Sequence, residues 1–449
     1  MPYNPLPLLI GGVGIYFIFK LRGLFLLHPI RAFRTARAAL CRRGALSSLC
    51  LALAGTLGVG NIFGVALGII LGGVGSVFWL FISTLFAAVI KYAEVALSAD
   101  IEKDENLGMI GAVRDKLGGV PSLIYALLIL VLSLCMGAAI QSASAGACYV
   151  YLGGRAKFLL GALLGIAVLF VVLGGRGRIT RFTSVVIPLS TIIYIILTLA
   201  VIIKRADGIG EAFSYIICDA FTVKGALGGV LGFLFSAALR EGYSRGILSN
   251  EAGSGTSSLA HAGAYGCTPA ERGVLGIIEV VFDTAILCTL TALSIVLSLG
   301  DGVGYTEPMS LLLDALSASL GGWAVYPTVF AVYAFAVSTV ISWYYYGEVA
   351  RGYLFGDKRR RTYLSLYIVF VILGTTLGGE AFVPLTDLSL LALSVICLLT
   401  LIKSSDRIRY LSELGGLLPS NIKESECAKE GARRVRRGAT QARIPRAPR

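Results

Sequence analysis

Long runs of apolar residues, separated by charged or glycine-rich breaks, set the pattern of this chain. A helix that crosses the roughly 30 Å hydrocarbon layer of a membrane needs about 20 mostly apolar residues. Runs that meet or approach this length cover residues 6–27, 46–72, 76–98, 120–152, 157–173, 180–204, 225–240, 270–300, 323–347, 363–376 and 383–403. The pattern predicts an all-α polytopic membrane protein with about 11 transmembrane helices.

The composition points the same way. Hydrophobic residues make up 56% of the 449 residues and charged residues 14%, and the mean hydropathy of +0.81 is too high for one soluble domain. The nine cysteines form no CxxC pair and mostly lie in or beside apolar runs, so neither disulfides nor zinc is expected. The sequence has no Walker A motif, nucleophile elbow or paired metal ligands, so we expect neither an enzyme nor an organic cofactor.

The basic residues indicate the orientation in the membrane. If the N-terminus is outside and the C-terminus cytoplasmic, all but five of the 39 Lys and Arg residues fall on the cytoplasmic side or at its helix ends. The five exceptions are Arg155, Lys157, Lys204, Arg205 and Lys224. The positive-inside rule therefore favours this orientation in the inner membrane, with basic cytoplasmic connections at residues 31–43 and 357–361.

The apolar runs also suggest an internal repeat. Without the first helix and its basic loop, residues 1–45, ten helices remain in two groups of five, residues 46–204 and 205–403. Each group opens with a glycine-dense segment, GTLGVGNIFG at Gly55–Gly64 and GALGGVLG at Gly225–Gly232. Broken helices at matching places are typical of transporters built as a 5+5 inverted repeat. The basic tail, residues 404–449, is predicted to be disordered in the cytoplasm.

Two broken helices would suit an amino acid and a cation. Unwound backbone in a membrane is tolerated where it lines a polar cavity, and glycine permits such a backbone. The amides at the start of a half-helix can bind a carboxylate, and freed carbonyl groups offer sodium the hard oxygen ligands it needs. The alternative is that these glycines only allow helices to pack closely.

Several longer motifs resemble those of the alanine or glycine:cation symporter family, which is also described as the sodium:alanine symporter family. They include GVGNIFGVALGI, GGVGSVFWLF at Gly72–Phe81, GGRGRITR and SWYYYGE, and the most specific is RGILSNEAGSGTSSLAHAGA at Arg245–Ala264. The likeness covers about residues 12 to 403. It implies the inverted-repeat fold of the bacterial leucine transporter and sodium symport of a small neutral amino acid, such as alanine or glycine, by alternating access. Phe63 and Leu67 stand where the family has a small Ala and a Thr, and these bulkier or less polar side chains could shrink the pocket or alter cation coordination.

The resemblance implies a site at the first break. The substrate residues that it implies are Gly58, Gly60, Asn61, Gln141, Phe233 and Trp343. The sodium ligands that it implies are the backbone carbonyl groups of Ala54, Thr56 and Leu57 and the side chains of Asn61, Ser338 and Thr339. The alternatives are structural: Asn61 as a helix cap, the two hydroxyl groups bonded to the preceding turn, Gln141 as an interhelical contact and Trp343 at the bilayer interface.

Polar groups elsewhere in the apolar runs are further candidates. Arg245, Asn250 and Glu251 are expected on a cytoplasmic loop, where they would form a gate. The acids Glu94, Glu279, Asp283 and Glu348 lie in or at the ends of apolar runs, where charge is costly and usually functional.

Glu279 and Asp283 share a helix face. They could serve a proton-coupled carrier, although pairing with Arg176 or Arg178 at the cytoplasmic face is the favoured expectation. A channel-like or non-transporting membrane protein is the remaining alternative.

Overall fold

The computed structural model describes residues 5–58, 60–101, 107–222, 237–302 and 304–419, and helices account for most of them. We number the main helices as follows: α1 Leu6–Lys20, α2 Pro29–Leu40, α3 Ala45–Thr56, α4 Gly60–Gly72, α5 Ser76–Ile101, α6 Gly119–Tyr151, α7 Lys157–Val172, α8 Gly175–Lys204, α9 Ile209–Ala220, α10 Ala237–Asn250, α11 Pro269–Leu299, α12 Pro308–Leu320, α13 Gly322–Phe355, α14 Arg360–Leu377, α15 Glu380–Lys403 and α16 Ser405–Leu414. No strand occurs in the described ranges.

Six helices, α5, α6, α8, α11, α13 and α15, are long and apolar enough to cross a membrane. The chain is therefore a multi-pass membrane protein, as the apolar runs predict. The predicted helix over 6–27 is shorter than expected, because α1 ends at Lys20 and a turn through Gly23, with φ of +71°, separates it from the short helix Leu24–Leu27.

The apolar runs did not predict five helices, because these helices are short or amphipathic. They are α2, α9, α12, α16 and the helix Met109–Leu117. The helix α16 corrects the prediction that disorder begins at residue 404, since Ile408 and Leu411 on its inner face are buried. Residues 420–449 of the predicted tail lie outside the described residues.

The helix α16 is held by polar contacts with α1 and α5. Lys20 Nζ lies 2.5 Å from Asp406 Oδ1, and the Tyr16 hydroxyl group donates to Ser405 Oγ over 2.9 Å. In addition, the hydroxyl oxygens of Tyr92 and Ser412 are 2.7 Å apart. The last described helix is thus joined to the first.

The predicted break in the first half is present. The helix α3 ends at Thr56, and α4 begins at Gly60 with a turn of π-helix that continues to Gly64. Between them, Gly58 donates its amide to the carbonyl oxygen of Thr56 over 2.7 Å. The predicted second break, Gly225–Gly232, lies outside the described residues.

A second irregular stretch follows α10, at residues 251–257. The backbone takes positive φ at Glu251 (+55°), Gly253 (+89°) and Gly255 (+73°), and the stretch is almost completely buried. Its backbone groups are satisfied inside the protein: the Gly253 amide donates to Glu94 Oε1 over 2.6 Å, and the Tyr125 hydroxyl group donates to the carbonyl oxygen of Ser254. Non-helical backbone within a membrane protein requires such partners. We call residues 251–257 the irregular segment.

The two ends of α5 define the two sides of the bundle. We call the side where α5 begins, at Ser76, the open side, because a large cavity reaches it. We call the side where α5 ends, at Ile101, the closed side. On the open side α10 runs along α4 and α5 so closely that a Cβ atom at Gly242 would collide with the backbone oxygen of Ser76.

Candidate functional site

Three of the predicted site residues meet at the first break. A Cβ atom added to Gly58 would lie 2.7 Å from Gln141 Oε1 and 2.9 Å from Thr339 Oγ1. The break after α3, helix α6 and helix α13 thus each contribute one predicted residue to this point. Only glycine fits there without moving a neighbour, because real Cβ atoms do not approach other atoms so closely.

The predicted sodium residues lie around the same end of α3. Ser342 donates its hydroxyl group to the carbonyl oxygen of Leu51 over 2.9 Å, which fixes α13 against α3. One turn along α13, Ser338 and Thr339 are completely buried. Thr339 bonds back to the carbonyl oxygen of Phe335 over 2.9 Å, whereas Ser338 Oγ has no hydrogen-bond partner among the described residues.

The three residues of that predicted set whose backbone carbonyl groups are the expected ligands are also buried. Ala54, Thr56 and Leu57 form the last turn of α3 and its end, and there the Thr56 carbonyl oxygen accepts a hydrogen bond from the Gly58 amide. Thr339 Oγ1 lies beside Gly58, which follows these residues in the chain. Their binding of sodium remains a prediction.

Asn61 contacts an acid that the sequence had not paired with it. Its Nδ2 donates to Asp283 Oδ1 over 2.7 Å and to the Asp283 carbonyl oxygen over 3.1 Å. Ser249 Oγ lies 3.0 Å from Asn61 Oδ1 and 2.9 Å from Asp283 Oδ2, and Thr284 Oγ1 donates to the same carboxylate oxygen over 2.9 Å. Asn61 does not cap α4, so that structural alternative is wrong.

A cavity of about 750 Å³ joins the first break to the open side. Gly60, Gln141 and Ser249 lie at its inner end, and Phe63 and Leu67 line its wall. Near the helix ends its lining includes Lys157, Arg245, Glu307, Glu380 and Asp387. The volume is in the range of small-molecule binding sites.

Trp343 does not reach the surface of this cavity. It is 1% exposed, packs so closely on α6 that a Cβ atom at Gly137 would collide with it, and makes an edge contact with Tyr346 at 5.5 Å between ring centroids. The bilayer-interface alternative is therefore wrong. The predicted substrate contact Phe233 lies outside the described residues.

The predicted cytoplasmic gate is placed incorrectly. Arg245 and Asn250 belong to α10 and not to a loop, and Asn250 and Glu251 are buried, with 0% and 3% exposure. Arg245 lines the cavity on the open side, where its Nη2 lies 3.1 Å from Glu241 Oε2. Glycine permits the close approach of α10 to α4, since a Cβ atom at Gly72 would lie only 2.9 Å from Glu241 Cβ.

The expected pairing of Glu279 with Arg176 or Arg178 is also wrong. Glu279 Oε2 lies 2.8 Å from His261 Nε2, and its Oε1 lies 3.7 Å from Lys91 Nζ. Arg176 and Arg178 instead lie over the rings of Tyr345 and Phe170, respectively.

Lys91 links three parts of the closed side. Its ammonium group donates to Ser257 Oγ over 2.9 Å, at the end of the irregular segment, and lies 4.0 Å from Glu94 Oε2. Lys91, Glu94 and Glu279 are all 0% exposed. A buried charge needs such compensation, so this lysine holds α5, α11 and the irregular segment together.

Comparison with known proteins agrees with this fold. The model of the sodium:alanine symporter family matches residues 3–410. The chain is 30% identical over 430 residues to the uncharacterised transporter YflA of Bacillus subtilis (strain 168), covering 91% of this chain and 89% of that protein. It is also 30% identical over 344 residues to the sodium/alanine symporter AgcS of Methanococcus maripaludis, covering 73% of this chain and 74% of that protein.

A solved structure shows the same architecture. The crystal structure of MhsT in complex with L-phenylalanine superposes with a TM-score of 0.59 at 16% identity, covering 86% of this chain and 91% of that one. The fold is therefore that of the leucine-transporter group. Together with the family match over nearly the whole described chain, this shows that the protein belongs to the sodium:alanine symporter family.

Proposed function

We propose that this protein imports a small neutral amino acid, alanine or glycine, together with sodium across the inner membrane. The observation that carries the proposal is the meeting of Gly58, Gln141 and Thr339 at the break between α3 and α4, at the inner end of the cavity. The family consists of symporters, and the protein is accordingly a transporter and not an enzyme.

The break supplies both kinds of chemistry that the substrate needs. The amides at the start of α4, around Gly60, can bind the amino-acid carboxylate, because a helix N-terminus favours negative charge. The amide side chain of Gln141 faces Gly58 and can bind a polar group of the substrate. Phe63 narrows the cavity, which favours a short side chain.

Sodium would use the oxygens around the end of α3. The carbonyl groups of Ala54, Thr56 and Leu57 and the hydroxyl groups of Ser338 and Thr339 are hard ligands of the type that small cations prefer. Ser338 supports this assignment, since a completely buried hydroxyl group without a partner among the described residues suits a ligand. Binding of sodium would hold α3 against α13 and fix the break in the form that binds the amino acid.

We propose that the open side faces the outside and the closed side the cytoplasm. This orientation places the N-terminus outside, and it puts the basic helix α2 and the basic connection at 357–361 on the cytoplasmic side. In this state the cavity would receive substrate from outside. Release inward would require the contacts of the irregular segment to separate.

Proton coupling is the second candidate, and one observation favours it. Asp283 is completely buried beside Asn61, and no Lys, Arg or His nitrogen of a described residue forms an ion pair with it. A carboxyl group in such a place can exchange a proton during transport.

The test is uptake of radiolabelled alanine into proteoliposomes with an inward sodium gradient and a matched potassium control. Saturable uptake that requires sodium is expected. Gly58→Ala should abolish it by displacing Gln141 and Thr339, whereas Gly12→Ala, where an added Cβ atom meets nothing within 4 Å, should leave it unchanged. Uptake that follows a proton gradient, ignores sodium and is lost in Asp283→Asn would refute sodium symport and establish the second candidate.

A further inference from the structure

The helix α2 presents two unlike faces. Ala39 is completely buried, and Ala32 and Ala36 pack partly buried against the protein, so one face is docked. On the opposite face Ile30 and Phe33 are 67% and 72% exposed, so most of the surface of these large apolar residues is not covered by protein. From its sequence, this stretch was predicted only as a basic loop.

Three arginines share that exposed side. Arg31, Arg34 and Arg37 are all exposed, and none has an acidic partner in the part of the chain that the structure describes. At 3.6 residues per turn, the exposed side chains follow one another around the helix in the order Phe33, Arg37, Ile30, Arg34 and Arg31. One edge of the exposed surface therefore carries both apolar and basic side chains, and the other edge is basic.

The direction of α2 matches such a surface. Its axis is bent by 106° from that of α3, the inner part of a membrane-crossing segment. A helix roughly perpendicular to a crossing helix lies along the membrane surface. Exposed aromatic and aliphatic side chains next to arginines are typical of helices at the boundary between lipid head groups and acyl chains.

We propose that α2 is a binding site for anionic phospholipids, with Ile30 and Phe33 among the acyl chains and Arg31, Arg34 and Arg37 on the phosphate groups. Arginine suits this ligand because its planar donors match phosphate oxygens. Three unpaired positive charges beside an apolar surface complement an anionic lipid and not a zwitterionic one. Near a charged membrane, each of these charges raises the binding constant about fivefold.

This site is connected to the transport machinery. Residues 41–44 join α2 to α3, and Gly44 adopts φ of +77° with its missing Cβ atom only 2.5 Å from the carbonyl oxygen of Gly263. A bound lipid that holds α2 on the membrane surface therefore holds the beginning of α3. The other end of α3 carries the break.

The test uses the full chain with Phe33→Trp in mixed vesicles of phosphatidylglycerol and phosphatidylcholine, with one of the two lipids brominated at a time. Fluorescence of the protein without this substitution is subtracted, to remove the contribution of its three own tryptophans. At equal mole fraction, we expect brominated phosphatidylglycerol to quench several-fold more than brominated phosphatidylcholine. The difference should shrink at high salt, which screens exposed charges.

Two sets of variants show whether the preference for phosphatidylglycerol comes from α2 or from the basic tail. The triple change Arg31→Gln, Arg34→Gln and Arg37→Gln should remove the preference for phosphatidylglycerol while quenching by phosphatidylcholine persists. The same changes at Arg433, Arg434 and Arg436 of the tail are the charge-matched control, and this variant should keep the preference for phosphatidylglycerol. Equal quenching by both lipids, or a preference that survives the α2 changes, would overturn the proposal; absence of any quenching would also overturn it and point to a soluble partner.

Discussion

The charge of Lys91 holds the closed side together, and Lys91→Met removes that charge while keeping a long side chain. In the variant, Glu279 and Glu94 remain completely buried and lose the cation that lies 3.7 and 4.0 Å from their oxygens. Ser257 loses the hydrogen bond that ties the irregular segment to α5. We expect a marked loss of stability and of transport.

The magnitude follows from the distances. At an effective dielectric constant of about 20, opposite charges at 3.7 and 4.0 Å attract by about 4.5 and about 4 kcal/mol. Desolvation of the ammonium group offsets several kcal/mol of this attraction, and breaking a buried pair by removing one partner typically costs about 3–5 kcal/mol. At about 2.1 cal/mol/K per residue, the entropy of unfolding of a 449-residue chain is about 0.9 kcal/mol/K, so a loss of that size corresponds to a fall in Tm of about 3–5 °C.

The assay is thermal unfolding of the purified protein in detergent, followed by intrinsic fluorescence. Asp115→Asn is the control, since Asp115 and Lys116 are 48% and 33% exposed in their ion pair, and exposed pairs contribute less than about 1 kcal/mol. Lys91→Met combined with Glu279→Gln should recover part of the lost stability, because one of the two uncompensated charges is then gone. A Tm for Lys91→Met within about 2 °C of the unchanged protein, or a double variant no more stable than the single one, would refute the reasoning.

Three further predictions concern the cavity, the helix contacts and the C-terminal helix. Phe63→Ala widens the cavity, so competition assays should show better binding of larger neutral amino acids. Unchanged selectivity would contradict the role of Phe63 in limiting substrate size. Gly242→Ala forces α10 away from the backbone oxygen of Ser76 and should cost about 1–3 kcal/mol, seen as a lower Tm. The Lys20 ammonium group lowers the pKa of Asp406, so this contact should persist above the ordinary carboxyl pKa and be lost as pH falls through the lowered value. Limited proteolysis of the C-terminal region against pH, with Lys20→Met as the variant that lacks the contact, would check this.

The sequence predicts the parts of the fold that depend on local pattern. Apolar runs identify the six long crossing helices, because the membrane imposes their length. The first break was predictable from its glycines, and the meeting of Gly58, Gln141 and Thr339 followed from motifs that resemble the family.

Contacts between distant residues could not be predicted in this way. Lys91 and Glu279 are 188 positions apart in the sequence, and nothing local to either one indicates the other. Asp283 was recognised as a costly acid, yet its partner Asn61 became evident only from the packing of α11 against the break. Arg245 was misplaced because a polar stretch predicts a loop, whereas glycines let α10 pack against α4 and α5.

The contacts between α16 and the earliest helices also bear on biosynthesis. The ribosome makes α1 and α5 long before α16. Lys20 and Tyr92 therefore cannot form their contacts with Asp406 and Ser412 until α16 has been made. Until α16 has been made, the surface of α1 and α5 that receives it remains uncovered. Completion of this part of the closed side is therefore expected to follow the synthesis of α16, and a chain that terminates before residue 405 would leave it unfinished.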